Sequence, residues 1–272
     1  MNPADWPVLF KAAVLGVVEG VTEFLPVSST GHLILAGEWL DFNGGQAGTF
    51  EIFIQLGAIL AITWIYRGTL AVVLRGLARD PVQQRFALNL IIAFLPAAVV
   101  GLLAHDLIKA RLFSPLVVAV ALVIGGVIIL LIERRPPPTR VASVQAMGWR
   151  LALGVGLAQV LSLIPGTSRS GATIMGGYAM GMSRQAATEF SFFLAIPVMV
   201  AATLFDLLSS RDLLSRADVA PFAVGFVTAF VSALIVVKAF LGFVARHDFR
   251  GFAWYRIGFG VLLLVWYLRP GA

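Results

Sequence analysis

Cysteine is absent from this 272-residue chain, histidine occurs only three times, and charged residues make up just 12%. The missing cysteine excludes disulfides and thiolate metal sites. With His32, His105 and His247 as the only imidazoles, zinc is disfavoured, and any metal would have to be a hard cation held by oxygen. Soluble domains carry roughly 25% charge. The low charge here, with 59% hydrophobic residues and a mean hydropathy of +0.92, therefore excludes a soluble domain and indicates an integral membrane protein. Met1 to Pro7 has no basic region, so no cleavable signal is expected. A pI near 10.3 would suggest nucleic acid for a soluble protein. Here the basic residues cluster in short loops, where they report membrane orientation, and no nucleic-acid partner is expected.

Uninterrupted apolar runs at about 50–66, 86–104, 115–132, 187–207, 219–243 and 252–268 are each long enough to cross roughly 30 Å of hydrocarbon. Two further segments, about 7–41 and 149–182, are interrupted by proline and hydroxyl-rich turns. They read as re-entrant helix-loop-helix elements, because irregular backbone is not tolerated facing lipid. The expected fold is an all-α membrane protein of six transmembrane helices plus two broken ones. Arg67, Arg75, Arg79 and Arg85 mark one loop and Arg134, Arg135, Arg140 and Arg150 another, which places both in the cytoplasm and both termini outside. The charge-balanced loop around Arg211, Asp212, Arg216 and Asp218 falls on the outer side in agreement, and the loop around Lys109 and Arg111 agrees less well.

The two broken segments resemble each other. A shift of 140 residues pairs Gly16 with Gly156, Glu19 with Gln159, Ser28 with Ser168, Gly31 with Gly171 and Gly37 with Gly177. A span opening with a glutamate follows each, Glu51 in one half and Glu189 in the other. A re-entrant segment plus three spans, repeated, sets the second copy upside down, since three crossings is an odd number. Residues 1–139 and 140–272 are thus expected to be inverted repeats within one membrane domain, an architecture common among secondary transporters.

The chemistry lies in the breaks. Glu19 and Glu23 are four residues apart, on one face of a helix at membrane depth. An ionisable group there is a hypothesis of function by default. Pro26 ends that helix, and the second half-helices are expected to begin at Ser28-Ser29-Thr30 and at Thr167-Ser168-Arg169-Ser170, both rich in N-cap residues. Two helix N-termini facing one cavity suit an anion, phosphate above all. Arg169 matches two phosphate oxygens, although an arginine that only neutralises Glu19 or Glu23 is the alternative. Two carboxylates beside a phosphate call for a cation or a proton between them, and the hard oxygen ligands point to Mg2+ or Ca2+ held by Glu19 and Glu23. His32, three residues past Ser29 on the same half-helix, is within reach of that hydroxyl as a base for a nucleophile, against the alternative of a packed, hydrogen-bonded histidine. His105 and His247 fall at expected loop positions and read as solvated. Gly16, Gly20, Gly31 and Gly37 permit close helix packing around the site.

EGVTEFLPVSSTGHL and PGTSRSGAT resemble the two signature motifs of the bacterial undecaprenyl-pyrophosphate phosphatases of the bacitracin-resistance type. The likeness extends through the TFEIFIQLGAIL and EFSFFLAIP spans, with no departure at the motif positions. It implies a bacterial inner-membrane enzyme that removes the terminal phosphate from a C55 isoprenyl pyrophosphate left by cell-wall polymer synthesis. In that family's terms Glu19 and Glu23 serve the metal and acid-base steps, Ser29 attacks phosphorus, His32 activates it and Arg169 clamps the phosphate. Ser28, Thr30, Thr167, Ser168, Ser170 and Thr173 would line the substrate site. An ion-coupled transporter or lipid flippase for an anionic substrate is the competing class. The sequence leaves open a phosphoserine against an activated water, the metal, and the oligomeric state, with a homodimer among the options.

Overall fold

The structure, a computed structural model, describes residues 7–42, 47–210 and 219–269. These residues are mostly helical, joined by turns and by the irregular connection 135–148, which carries one isolated bridge between Val141 and Met182. The first half contains α1 (Val8–Thr22), α2 (Ser29–Leu40), α3 (Ala47–Ile65), α4 (Arg67–Gly76), α5 (Pro81–Leu112) and α6 (Pro115–Arg134). The second contains α7 (Trp149–Val160), α8 (Arg169–Ala179), α9 (Arg184–Ser210), α10 (Val219–Val244) and α11 (Arg250–Tyr267). Local chemistry sets the starts of α5 and α6. Each opens on a proline whose missing N–H would be unpaired in any case, behind a capping side chain. Asp80 accepts from the Val82 N–H at 2.8 Å and Ser114 from the Val117 N–H at 3.3 Å.

Both broken segments are where the sequence puts them. α1 and α2 are separated by the turn 23–28; α7 and α8 are separated by the 3-10 turn Leu161–Leu163 and residues 164–168. Of the described helices, Gly48–Ile65, Pro81–Ala104, Pro115–Arg134, Arg184–Leu204 and Val219–Val244 are long and apolar enough to cross a membrane. The apolar stripe Leu88, Ile91, Leu95, Val99, Leu102 and Leu103 on α5 is exposed. On a membrane-spanning helix such a stripe faces lipid. The sixth expected run, 252–268, is helical as α11, but Arg256 interrupts its apolar character, and α11 is not one of these five.

Two regions read as loops are helical instead. Arg67 and Arg75 lie on α4, whose Leu70 and Val73 turn inward while the arginines stay outside, a short amphipathic helix. α5 runs on to Leu112, so positions 105, 109 and 111 are on a helix: nothing between Ala104 and Leu112 breaks one. The segment holding Arg211, Asp212, Arg216 and Asp218 lies outside the described residues, as do both termini.

Packing is crossed between the halves. α1 lies on α10, α7 on α5, α6 on α11, and α3 between α9 and α10. Gly16 and Gly156, the pair related by the 140-residue shift, occupy the two crossing points. A Cβ on Gly16 would collide with the Gly225 carbonyl oxygen of α10, and one on Gly156 would sit 2.6 Å from the Ala93 carbonyl oxygen of α5. Backbone-to-backbone approach of this kind is how small residues bring membrane helices together. An aromatic cluster on α9, α10 and the first turn, with Phe24 edge-on to Phe192 at 5.4 Å, fills the interior beneath the two breaks.

Candidate active site

The two breaks meet. Glu19, near the end of α1, is 1% exposed; Glu23 caps that helix and is 7% exposed. Ser29 opens α2, and its hydroxyl donates to Glu23 Oε2 at 2.5 Å. From the other half, Arg169 opens α8 and its Nη2 donates to Glu23 Oε1 at 2.9 Å. Both oxygens of one carboxylate are therefore engaged, one by a hydroxyl of the first break and one by a guanidinium of the second. Arg169 also donates from Nη1 to the Ser191 carbonyl at 3.1 Å and from Nη2 to Met199 Sδ at 3.1 Å, and it lies over the Phe24 ring, 5.8 Å from its centroid. The pairing with Glu23, the alternative weighed for this arginine, is made, but it does not exhaust the side chain: the Arg169 Nε–H is buried with no hydrogen-bond partner.

The second break adds three hydroxyls. Ser168 caps α8 by accepting from the Gly171 N–H at 3.1 Å and lies 3.0 Å from the Ser170 hydroxyl. Ser170 donates to the Leu25 carbonyl of the first turn at 2.8 Å. Thr173 donates to the Arg169 carbonyl at 2.9 Å and shares a 2.7 Å hydrogen bond with the Ser191 hydroxyl of α9. Thr30 is exposed and Thr167 is half-buried against an apolar groove along α6, so these two stand aside from the cluster.

Ser28 and Ser168 share an unusual backbone, φ 72° and ψ 98° in one, φ 72° and ψ 116° in the other. A positive φ is costly for a side chain with a Cβ and persists where the surroundings impose it. Here it turns the chain sharply into each half-helix. α8 has the Ser168 side-chain cap, whereas α2 has none at Ser28, which leaves its first N–H groups without a side-chain acceptor.

His32 does not face Ser29. Its ring nitrogens meet the Ser28 carbonyl at 2.7 Å and the Tyr255 hydroxyl at 2.6 Å, so the hydroxyl that it was expected to activate rests on Glu23 instead. The reason is geometric. Positions i and i+3 share a helix face, but both His32 ring nitrogens are taken by the Ser28 carbonyl and the Tyr255 hydroxyl, and Glu23, folded back by the turn, accepts from Ser29.

Three further residues belong to this site and were not singled out from the sequence. Ser191 closes one wall. Arg256, 1% exposed on α11, donates to the carbonyls of Pro26 at 3.2 Å and Gly166 at 3.2 Å, one from each break, and also to Ala121 and Leu122 of α6. It stitches the two turns together. Tyr255 holds His32. The signal for Arg256 was a lone arginine within an apolar run, the same reasoning that drew attention to Glu19.

A hard cation fits the donors present in one respect. Glu19 Oε1 is buried without a hydrogen-bond partner, a position that a cation or a proton would satisfy. Among the described residues no group of three or more His, Asp and Glu side chains converges. A metal held here would draw its remaining oxygens from an anionic substrate and water, the usual habit of Mg2+.

A sequence model of the family described as bacitracin resistance protein BacA matches residues 12–262. Among individual proteins, the undecaprenyl-diphosphatase of Nitrosospira multiformis is 57% identical over 261 residues, covering 96% of each chain. That of Ectopseudomonas mendocina is 55% identical over 261 residues, covering 96% of this chain and 95% of its own. That of Aromatoleum aromaticum is 55% identical over 266 residues, covering 97% of each.

Proposed function

The chain belongs to the bacitracin resistance protein BacA family, and we infer that it is an undecaprenyl-diphosphatase, a multi-pass membrane enzyme that hydrolyses undecaprenyl pyrophosphate to undecaprenyl phosphate and inorganic phosphate. The observation that carries the reading to this chain's own residues is the pair of orphaned buried atoms, the Arg169 Nε–H donor and the Glu19 Oε1 acceptor, flanking the Ser29–Glu23 hydrogen bond. A phosphate with its counter-cation satisfies both. A transporter has no need of a hydroxyl already engaged by a carboxylate beside a phosphate-matched arginine.

In the mechanism we propose, the diphosphate head enters between the breaks while the isoprenyl tail stays in lipid. The uncapped N-terminus of α2 and the Arg169 guanidinium hold the terminal phosphate, with Ser168, Ser170 and Thr173 fixing the arginine's end of the cleft. Ser29 Oγ attacks the terminal phosphorus and its proton passes to Glu23 Oε2, while the bond from phosphorus to the bridging oxygen breaks and the lipid monophosphate departs. Water then attacks the phosphoserine, and Glu23 returns its proton to Oγ as dihydrogen phosphate leaves. Little covalent work beyond this is required, because phosphoryl transfer is driven mainly by positioning and by stabilising charge on the equatorial oxygens. Mg2+ or Ca2+, held by Glu19 with Glu23, would supply further neutralisation of that charge.

The arginine clusters at Arg67–Arg85 and Arg134–Arg150 support cytoplasmic loops and periplasmic termini in the bacterial inner membrane. The crossed packing of α1 on α10 and α7 on α5, with the matched backbone at Ser28 and Ser168, supports the inverted-repeat reading of 1–139 and 140–272. The deciding experiment is phosphate release by protein purified in detergent, where no gradient exists. Release identifies an enzyme, and its absence with intact, substrate-binding protein would return the transporter reading.

A further inference from the structure

Tyr255 lies on α11, 223 residues from His32 in sequence, with its hydroxyl 2.6 Å from His32 Nε2. The opposite ring nitrogen, Nδ1, is 2.7 Å from the Ser28 carbonyl. A carbonyl only accepts, so Nδ1 carries the proton. In the neutral imidazole Nε2 then has the lone pair, and the Tyr255 hydroxyl donates to it. The Phe259 ring stacks on the imidazole at 4.4 Å and 16°, against the plane in which both hydrogen bonds are made.

What this holds is the strained residue. Ser28 sits at φ 72° with no side-chain cap, and its carbonyl is the His32 acceptor. At the equivalent place in the other break, Ser168 has the same φ but is secured by its own hydroxyl on the Gly171 N–H. The residue there, 140 positions beyond His32, is Ala172. The two turns thus have the same backbone and different fastenings.

We propose that Tyr255 is a positioning residue, and that Tyr255 and His32 form a brace that fixes the Ser28–Ser29 peptide so that the Ser29 hydroxyl meets Glu23. His32 acts on Ser29 through the Ser28 carbonyl, without taking its proton. The proposal rests on the phosphatase reading for its kinetic test and has a spectroscopic test that does not.

The spectroscopic test is the 15N spectrum of purified protein labelled at histidine. The chain has three histidines, so His105→Gln and His247→Gln assign the His32 signals. The brace predicts a protonated Nδ1 and a hydrogen-bonded, unprotonated Nε2 at neutral pH, with the Nε2 signal moving in Tyr255→Phe. An Nε2–H tautomer, or a spectrum indifferent to Tyr255→Phe, overturns it whether or not the protein hydrolyses anything.

The kinetic test is a double-mutant cycle on phosphate release. Losing one neutral hydrogen bond should lower kcat by about three- to tenfold in Tyr255→Phe, with KM little changed. An asparagine amide can donate to the Ser28 carbonyl but does not reach Tyr255 and cannot act as a base. His32→Asn should therefore retain most of what His32→Ala loses, and Tyr255→Phe should be silent in the His32→Asn background. If His32→Asn is as impaired as His32→Ala, His32 is transferring a proton. If Tyr255→Phe costs the same in both backgrounds, Tyr255 acts independently. Either result overturns the brace. A wild-type protein that releases no phosphate would instead refute the phosphatase reading and leave the spectrum to judge the brace.

Discussion

The Ser29 hydroxyl donates to Glu23 at 2.5 Å, and the same carboxylate accepts from Arg169 at 2.9 Å. One residue thus couples the nucleophile of the first break to the phosphate clamp of the second. Glu23→Gln preserves the volume and can still accept from one neighbour, but it cannot take a proton. Turnover should fall by about 10²- to 10⁴-fold, the usual contribution of a general base, with the protein still folded. Phosphate release measured beside the thermal unfolding profile checks this, and a loss under tenfold would mean that Glu23 only neutralises Arg169.

Arg169→Lys keeps the charge and loses the planar fork. A lysine ammonium can pair with Glu23 but cannot also present an Nε–H to a phosphate, so kcat/KM should fall by about 10- to 100-fold. Activity within a factor of a few would make Arg169 a structural counter-ion.

How much of this was legible in the sequence follows from where each residue's partners are. Glu19, Glu23, Ser28, Ser29 and the SRS run announce themselves because polar residues and a proline interrupt apolar runs, and the interruption itself predicts the break. α4 was not legible. Its arginines look like a loop when counted as charges, and its inward-facing Leu70 and Val73 are too few to show a period. Arg256 was visible as a charge in lipid, but its partners are backbone carbonyls of Pro26 and Gly166, which have no residue signature. His32 was legible as a site residue, and its partner was not. Helical spacing offered Ser29, whereas the contact actually made is with Tyr255 on the last helix.

Arg256→Met should destabilise the fold more than any change to the chemistry would suggest. The substitution keeps an unbranched apolar stem and removes the donor to four carbonyls, of which those of Pro26 and Gly166 lie in the turns, at about 1–3 kcal/mol for each that finds no replacement. Thermal unfolding in detergent should drop well below that of Arg250→Met, whose arginine is 55% exposed. Equal melting temperatures would show that the two turns hold together without Arg256.

Metal dependence tests the orphaned carboxylate. If a hard cation sits at Glu19 Oε1, EDTA should abolish phosphate release, and Mg2+ or Ca2+ should restore it. Glu19→Gln should raise the metal concentration needed for half-maximal activity as well as lowering the rate. Full activity in chelator would assign Glu19 a proton in place of a cation.

The most direct test of the account is Ser29→Ala beside wild type, with purified proteins in detergent, undecaprenyl pyrophosphate as substrate, and both binding and phosphate release measured. Ser29 is the first residue inside its helix and Ser28 holds the cap position, so the Ser29 hydroxyl, which donates to Glu23, has no capping role. Its removal should leave fold and substrate affinity nearly intact while turnover falls by several orders of magnitude. Ser28→Ala should be far milder, because the Ser28 side chain makes no capping hydrogen bond. Equal, modest losses at both positions would contradict a serine nucleophile and leave a water activated by Glu23 to do the chemistry.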